Sequence, residues 1–145
     1  MIVKIKKLRD NAVIPVKAHP SDAGFDLVAA TDFETDEDGN AVYYTGLAFE
    51  IPEGHVGLIF PRSSITKKDQ MIANGVGVVD SNYRGEVSVK CKMISPIAHD
   101  KYHVYRKGER VAQMIIVPYP EIEFQEADEL SETDRGANGY GSTGK

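Results

Sequence analysis

The chain has 145 residues, 41% hydrophobic and 27% charged, with 17 basic against 22 acidic side chains and a net charge of −5. That length and composition fit one globular domain with a real core, and the acidic balance argues against nucleic acid, which needs a basic surface, as a direct partner. The longest apolar run, Met114 to Val117, is far short of the ~18 residues that span a bilayer, and a single cysteine leaves no internal disulfide.

Lys4, Lys6 and Lys7 are followed by no apolar stretch. No secretory signal is expected, and a cytoplasmic setting fits (the host cytoplasm if phage-encoded). Val3 and Ile5, with lysines between them, give a weak opening strand. In Ala23-Gly24-Phe25-Asp26-Leu27, a carboxylate sits at a strand start, as a turn residue or a metal-shell group. The acidic run Asp32 to Asp38 before Gly39 lacks the calcium-loop spacing and reads as a solvated hairpin tip. Leu47, Phe49 and Ile51 alternate with Ala48 and Glu50 as a half-buried strand, and His55 to Phe60 is a denser run suited to burial on both faces.

Pro61-Arg62-Ser63-Ser64 follows directly. Hydroxyls and free amides at a helix start make an anion site, and Arg62 adds charge. One short helix is expected from Ser64 to Met71. Asn74-Gly75 signals a hairpin. The run beyond it, through Gly77 and Val79, ends on Asp80, where a carboxylate is costly unless hydrogen-bonded or working. Val87 to Met93 alternates as a strand, with Cys91 read as a small buried apolar residue rather than a nucleophile. His99 and His103 sit beside Pro96 and Asp100 and read as solvated loop residues, not a zinc pair. Val111 to Val117 is a second strand suited to burial on both faces, with a polar Gln113 inside it. Many short strands between Gly and Pro breakers give an all-β sandwich, barrel or jelly roll.

Composition shifts after Gln125. Residues 1–125 read as the core and 126–145 as an arm. The arm is first acidic, then glycine-rich: Arg135-Gly136, then Gly139-Tyr140-Gly141-Ser142-Thr143-Gly144. Such a segment has no core of its own and is either disordered or closes over a phosphate, which its glycine amides, hydroxyls and arginine suit.

Taken in order, the segments around Asp26, Arg62-Ser63-Ser64, Asn74 to Glu86 and Arg110 to Met114, followed by the glycine-rich arm, closely resemble the five motifs of the trimeric dUTPase family (deoxyuridine 5'-triphosphate nucleotidohydrolases). The resemblance runs from Ala23 to Gly144. It implies a jelly-roll-like β-barrel with a flexible C-terminal arm, a homotrimer with shared active sites, and hydrolysis of dUTP to dUMP and pyrophosphate. That activity limits uracil incorporation into DNA and supplies dUMP for dTTP synthesis. It also implies roles. Asp80 matches the aspartate that activates water for attack on the α-phosphorus. Asn74, Gly77 and Val79 lie in the segment that reads uracil, and Tyr83 matches the aromatic under deoxyribose. Arg62, Ser63 and Ser64 match phosphate contacts, and Gln113 a contact to the α-phosphate. Arg135 matches the γ-phosphate arginine, Tyr140 the ring that stacks on uracil, and Gly141, Ser142 and Thr143 further phosphate contacts. Mg²⁺ is implied, carried mainly by the phosphates, with Asp26 near its shell through water. Ser64 replaces a usual glycine, and Tyr140 a usual phenylalanine. A dCTP deaminase of the same fold is the nearest alternative and would need a base-activating glutamate, for which Glu86 is the candidate. A nucleotide sensor without turnover is the alternative from another class.

Overall fold

Ten short strands and a five-residue 3-10 turn, Ser63–Lys67, make up the regular structure of the computed structural model, which describes residues 1–94 and 104–139. The strands are β1 (Lys4–Lys7), β2 (Phe25–Val28), β3 (Glu34–Thr35), β4 (Ala41–Tyr44), β5 (Leu47–Glu50), β6 (His55–Phe60), β7 (Gln70–Ile72), β8 (Gly77–Val79), β9 (Ser88–Met93) and β10 (Arg110–Pro118). Every pairing is antiparallel. One sheet runs β2-β10-β6-β8, a second β3-β4-β9-β7, and β1 and β5 form a ribbon. The all-β, jelly-roll-like expectation holds, with ladders in separate sheets rather than in one closed barrel.

The sheets and the ribbon contribute to one apolar cluster, including Leu27, Tyr43, Leu47, Phe49, Ile59, Val89, Cys91, Val111 and Met114. Tyr43 is fully buried and packs edge-on against Tyr105, centroids 5.8 Å apart. Its hydroxyl donates to Gln70 Oε1 at 2.9 Å and accepts from the Tyr105 amide at 3.2 Å. A buried phenol needs such partners. Burial pushes the ionisation of Tyr43 up to about 12, and that of Cys91 likewise to about 12. Cys91 is therefore a protonated core residue, as its strand position suggests.

Two local expectations give way to long-range pairing. The helix from Ser64 to Met71 does not form. The chain makes the 3-10 turn, Lys68 turns extended, and β7 follows. Gln70 and Ile72 are drawn into the core as β7 pairs with β9, and that burial outweighs one more helical turn. Arg62 occupies the cap position of the turn without a side-chain bond. At Asn74-Gly75 the turn is real, with Gly75 at φ +72°. However, β7 pairs β9 whereas β8 pairs β6. The turn hands the chain from one sheet to the other instead of closing a hairpin. The acidic tip behaves as expected: β3 and β4 pair around it, and Asp36 accepts bonds from the Asp38 and Asn40 amides. His99 and His103 lie outside the described residues.

The dense strands β6 and β10 are buried on one face only. Register explains the difference. Ile59 opposite Met114 points inward, whereas Leu58 opposite Ile115, Phe60 opposite Gln113 and Val56 opposite Val117 share the outer face and stay half-exposed. Asp26 pairs with Gln113, and Val78 with Leu58, on this same face. The outer face thus carries Asp26 and Gln113 at one end and an apolar strip in the middle. Strand alternation past Val78 puts Asp80 at the other end.

Candidate active site

A cleft of about 200 Å³ opens where β8 leaves the sheet, lined by Asn74, Gly77, Val79, Asp80, Tyr83 and Glu86 among others. Five of these residues are the ones singled out in the sequence between Asn74 and Tyr83. A neighbouring cleft of about 360 Å³ shares Asn74 and Gly77. Asp80 is exposed, and its carbonyl accepts the Tyr83 amide at 3.1 Å in a tight turn. Arg84 fastens that turn by donating to the Ser81 and Tyr83 carbonyls at 2.6 and 3.0 Å. Tyr83 folds back so that its hydroxyl donates to the Glu86 carbonyl at 3.1 Å. Gly85 makes this possible, since a Cβ there would collide with the phenol. Three donors hold the Glu86 carboxylate: Oε1 accepts Arg9 Nε at 3.0 Å and the Gly46 amide at 2.8 Å, and Oε2 accepts a second Arg9 nitrogen at 3.2 Å. A glutamate occupied in this way is poorly placed to activate a base, which counts against deaminase chemistry.

A second cluster lies at the far end of β6. Asp26 on β2 accepts Arg62 Nε at 2.6 Å on one oxygen and Arg110 at 3.2 Å on the other. Gln113 on β10 donates to the Pro61 carbonyl at 2.9 Å, and its Oε1 occupies the space a Cβ on Gly24 would need. Arg62, Arg110, Gln113 and Ser63 make a donor-rich end suited to phosphate. Ser64 directs its hydroxyl to Tyr105, a long contact of 3.5 Å. The turn is held at its other end by Lys68, which donates to the Val104 carbonyl at 2.8 Å and sits 4.7 Å from the centroid of the Tyr105 ring. Arg110 was not legible in the sequence as a site residue: its partner Asp26 is 84 positions away, and Gln113 is the conspicuous residue of its run.

The two clusters do not meet within one chain. Val79 pairs with Gly57 and Gln113 with Phe60, so Asp80 and Gln113 are separated by roughly 13 Å along the strands and ~10 Å across them. From Pro118 through Gly139 every residue is exposed. Arg135 sits in a local turn, donating to the Asn138 carbonyl at 3.1 Å. Tyr140, Gly141, Ser142 and Thr143 lie outside the described residues. Among the described residues no group of three or more His, Cys, Asp or Glu is placed to hold a metal, and no helix is long and apolar enough to cross a membrane.

A family model described as dUTPase matches residues 10–144. The deoxyuridine 5'-triphosphate nucleotidohydrolase of Hydrogenobaculum sp. is 41% identical over 146 residues, covering 99% of both chains. That of Corynebacterium glutamicum is 38% identical over 144 residues, covering 99% of this chain and 95% of its own. Among solved structures, a mutant dUTPase of Staphylococcus bacteriophage 80alpha with dUpNHpp superposes with a TM-score of 0.84 at 30% identity, covering 99% of each chain. A mutant dUTPase from phage phi11 of S. aureus, whose structure is described as revealing the coordination of a structural Mg(II) ion, gives 0.74 at 28% identity, covering 89% of this chain and 98% of its own. On the family match and these relatives, this chain belongs to the dUTPase family.

Proposed function

We propose that this chain hydrolyses dUTP to dUMP and pyrophosphate at a site that joins the Asp80 cleft of one copy to the Arg62–Gln113 cluster of another. The observation that carries the reading is the single cleft holding Asp80 together with Asn74, Gly77, Val79 and Tyr83. Asn74 and the segment through Val79 read uracil by backbone groups over a tight floor. Tyr83 lies under deoxyribose and crowds out a ribose 2′-hydroxyl. Asp80 takes a proton from a water whose oxygen attacks the α-phosphorus; the bond from that phosphorus to the bridging oxygen breaks, and pyrophosphate leaves. Gln113 contacts the α-phosphate, while Arg62, Ser63 and the backbone at Ser64 hold the phosphate chain. Arg110 joins them, because Asp26 holds both guanidiniums on one outer face. In the arm, beyond the core of residues 1–125, Arg135 meets the γ-phosphate, Tyr140 covers the base, and Gly141, Ser142 and Thr143 add donors. Turnover limits uracil incorporation into DNA and supplies dUMP.

Mg²⁺ fits as an ion carried by the triphosphate. The donor set offers no cage, but each Asp26 oxygen accepts one guanidinium and keeps a lone pair for a water of the ion's shell. When bound, the ion neutralises phosphate charge.

Three features support a homotrimer. The outer face between the two clusters is an apolar strip that a second copy would cover. Just ahead of the arm, Ile122 and Phe124 alternate with Glu121, Glu123 and Gln125, and Phe124 is 94% exposed. That alternation is a strand pattern without a home. Beside the lysine-bearing ribbon strand β1 runs a groove of about 360 Å³, lined by Val3, Ile5, Phe25, Phe49, Met114 and Ile116, which suits an acidic, alternating strand from another copy. A free buried thiol at Cys91 agrees with a cytoplasmic setting.

The test is pyrophosphate release from dUTP, with dTTP, dCTP and UTP in parallel, with and without Mg²⁺. Metal-dependent release from dUTP alone is expected. Ammonia release from dCTP would reassign the protein to the deaminases, and binding of dUTP without release would make it a sensor.

A further inference from the structure

The Arg9–Glu86 pair lies outside the machinery assigned above, yet Glu86 lines the cleft that holds Asp80 and Tyr83. Arg9 stands just beyond β1, 77 positions from Glu86. Its guanidinium forks onto both Glu86 oxygens and lies 5.2 Å from the centroid of the Tyr44 ring. The Gly46 amide adds a third bond to Glu86. Next in sequence, Val87 donates to the Leu47 carbonyl at 2.8 Å and its own carbonyl accepts the Thr45 hydroxyl at 2.6 Å. The peptide at Glu86 is therefore fixed from both sides: by its side chain through Arg9 and Gly46, and by its neighbour through the corner at residues 45–47.

That peptide supplies the acceptor for the Tyr83 hydroxyl. Tyr83 is exposed, 45% accessible. Its position is defined by the turn after Asp80, the empty side-chain space at Gly85 and the Glu86 carbonyl. A bidentate arginine fork is directional, and a lysine in its place would not reproduce it. Loosening the fork leaves the Glu86 carboxylate with one backbone donor and frees the peptide to tilt. The phenol end of Tyr83 would move with it.

We infer that Arg9, acting through Glu86, is a positioning residue that fixes Tyr83 and thereby sets the discrimination of deoxyribose from ribose. The inference rests on the reading of Tyr83 as the sugar-facing ring. It assigns the specificity to a residue that touches no part of the nucleotide.

The experiment compares kcat/KM for dUTP and UTP, with thermal melts, in the full-length protein and in Arg9→Met, Arg9→Lys, Glu86→Gln, Tyr83→Phe and Tyr83→Ala. Arg9→Met is expected to lower the dUTP-to-UTP ratio by roughly tenfold, the low end of what a pocket contact contributes to discrimination. Arg9→Lys and Glu86→Gln shift it in the same direction. Combining Arg9→Met with Tyr83→Phe should lower the ratio no further than the larger single change, because both act through one hydrogen bond. A lowered melting temperature with an unchanged ratio in the arginine variants overturns the inference while leaving the Tyr83 reading intact. An unchanged ratio in Tyr83→Ala overturns the Tyr83 reading itself. If Arg9→Met does not fold, Arg9→Lys keeps the charge and most of the stem, and the same ratio decides.

Discussion

Asp80 stands where β8 ends, exposed beside the cleft it lines with Asn74 and Tyr83, while a second, open groove of about 860 Å³ reaches it from the side of Ile2 and Tyr119. Water therefore has access to it, and the proposed seat of base and sugar lies next to it. Asp80→Asn keeps the shape and removes the proton acceptor. Turnover of dUTP should fall by at least the ~10²-fold typical of a lost general base, with binding of a non-hydrolysable dUTP analogue retained by calorimetry. Wild-type turnover in this variant would remove Asp80 from the chemistry. Asp80 was legible in the sequence because a carboxylate closing an apolar run needs a reason. Arg110 and Arg9 were not, since each makes sense only through a carboxylate dozens of positions away. Ser64 was legible as a departure, but its direction was not. Its hydroxyl faces Tyr105, which leaves the backbone of the turn free to approach phosphate.

At the scale of elements, strands with clean alternation were readable, and the exceptions share one cause. The stretch from Ser64 to Met71 has helix-compatible composition, but Gln70 and Ile72 have core partners in Tyr43 and Cys91 that no local window contains. The Asn74-Gly75 pair fixes a turn, not which strands flank it. The acidic tip was readable because its bonds are local. There, Asp36 accepts the Lys90 ammonium at 2.9 Å and several donors from Asn40, which hold its carboxyl well below the usual carboxylate range. A depressed carboxylate stabilises the fold above its unfolded pKa and loses that contribution as pH falls below it. Asp36→Ala should therefore lower the melting temperature at pH 7, and the gap to wild type should close as pH drops below ~4. A gap independent of pH would show that Asp36 acts only through the shape of the turn. The arm behaves differently. Arg135 and Gly136 bond only within their own turn in the chain as described. Deleting residues 135–145 should leave the melting curve unchanged while dUTP turnover collapses. A deletion that unfolds the protein would make the arm a structural element.

Across the whole molecule, the sheet β2-β10-β6-β8 separates the groups that the proposed chemistry brings together. The Asp26–Arg62–Gln113 end and the Asp80 end share one face, and Leu58, Ile115 and Val78 lie between them. Val78 is 62% exposed in one copy. Apolar residues in the middle of a face with polar ends are the anatomy of an interface. Covering the strip with another copy can bring one copy's phosphate donors to another copy's Asp80. Asp80→Asn and Gln113→Ala should each be nearly inactive alone. Unfolded together and refolded as a mixture, they form hybrid assemblies in which an intact Asp80 from one chain meets an intact Gln113 from another, and activity should recover to a sizeable fraction of wild type. If each site were built within a single chain, every site in the mixture would carry one lesion, and the mixture would stay as inactive as its components. Mixing native proteins without unfolding gives the control: activity should appear only as fast as subunits exchange, and a mass measurement of the mixture reports whether three chains share one particle.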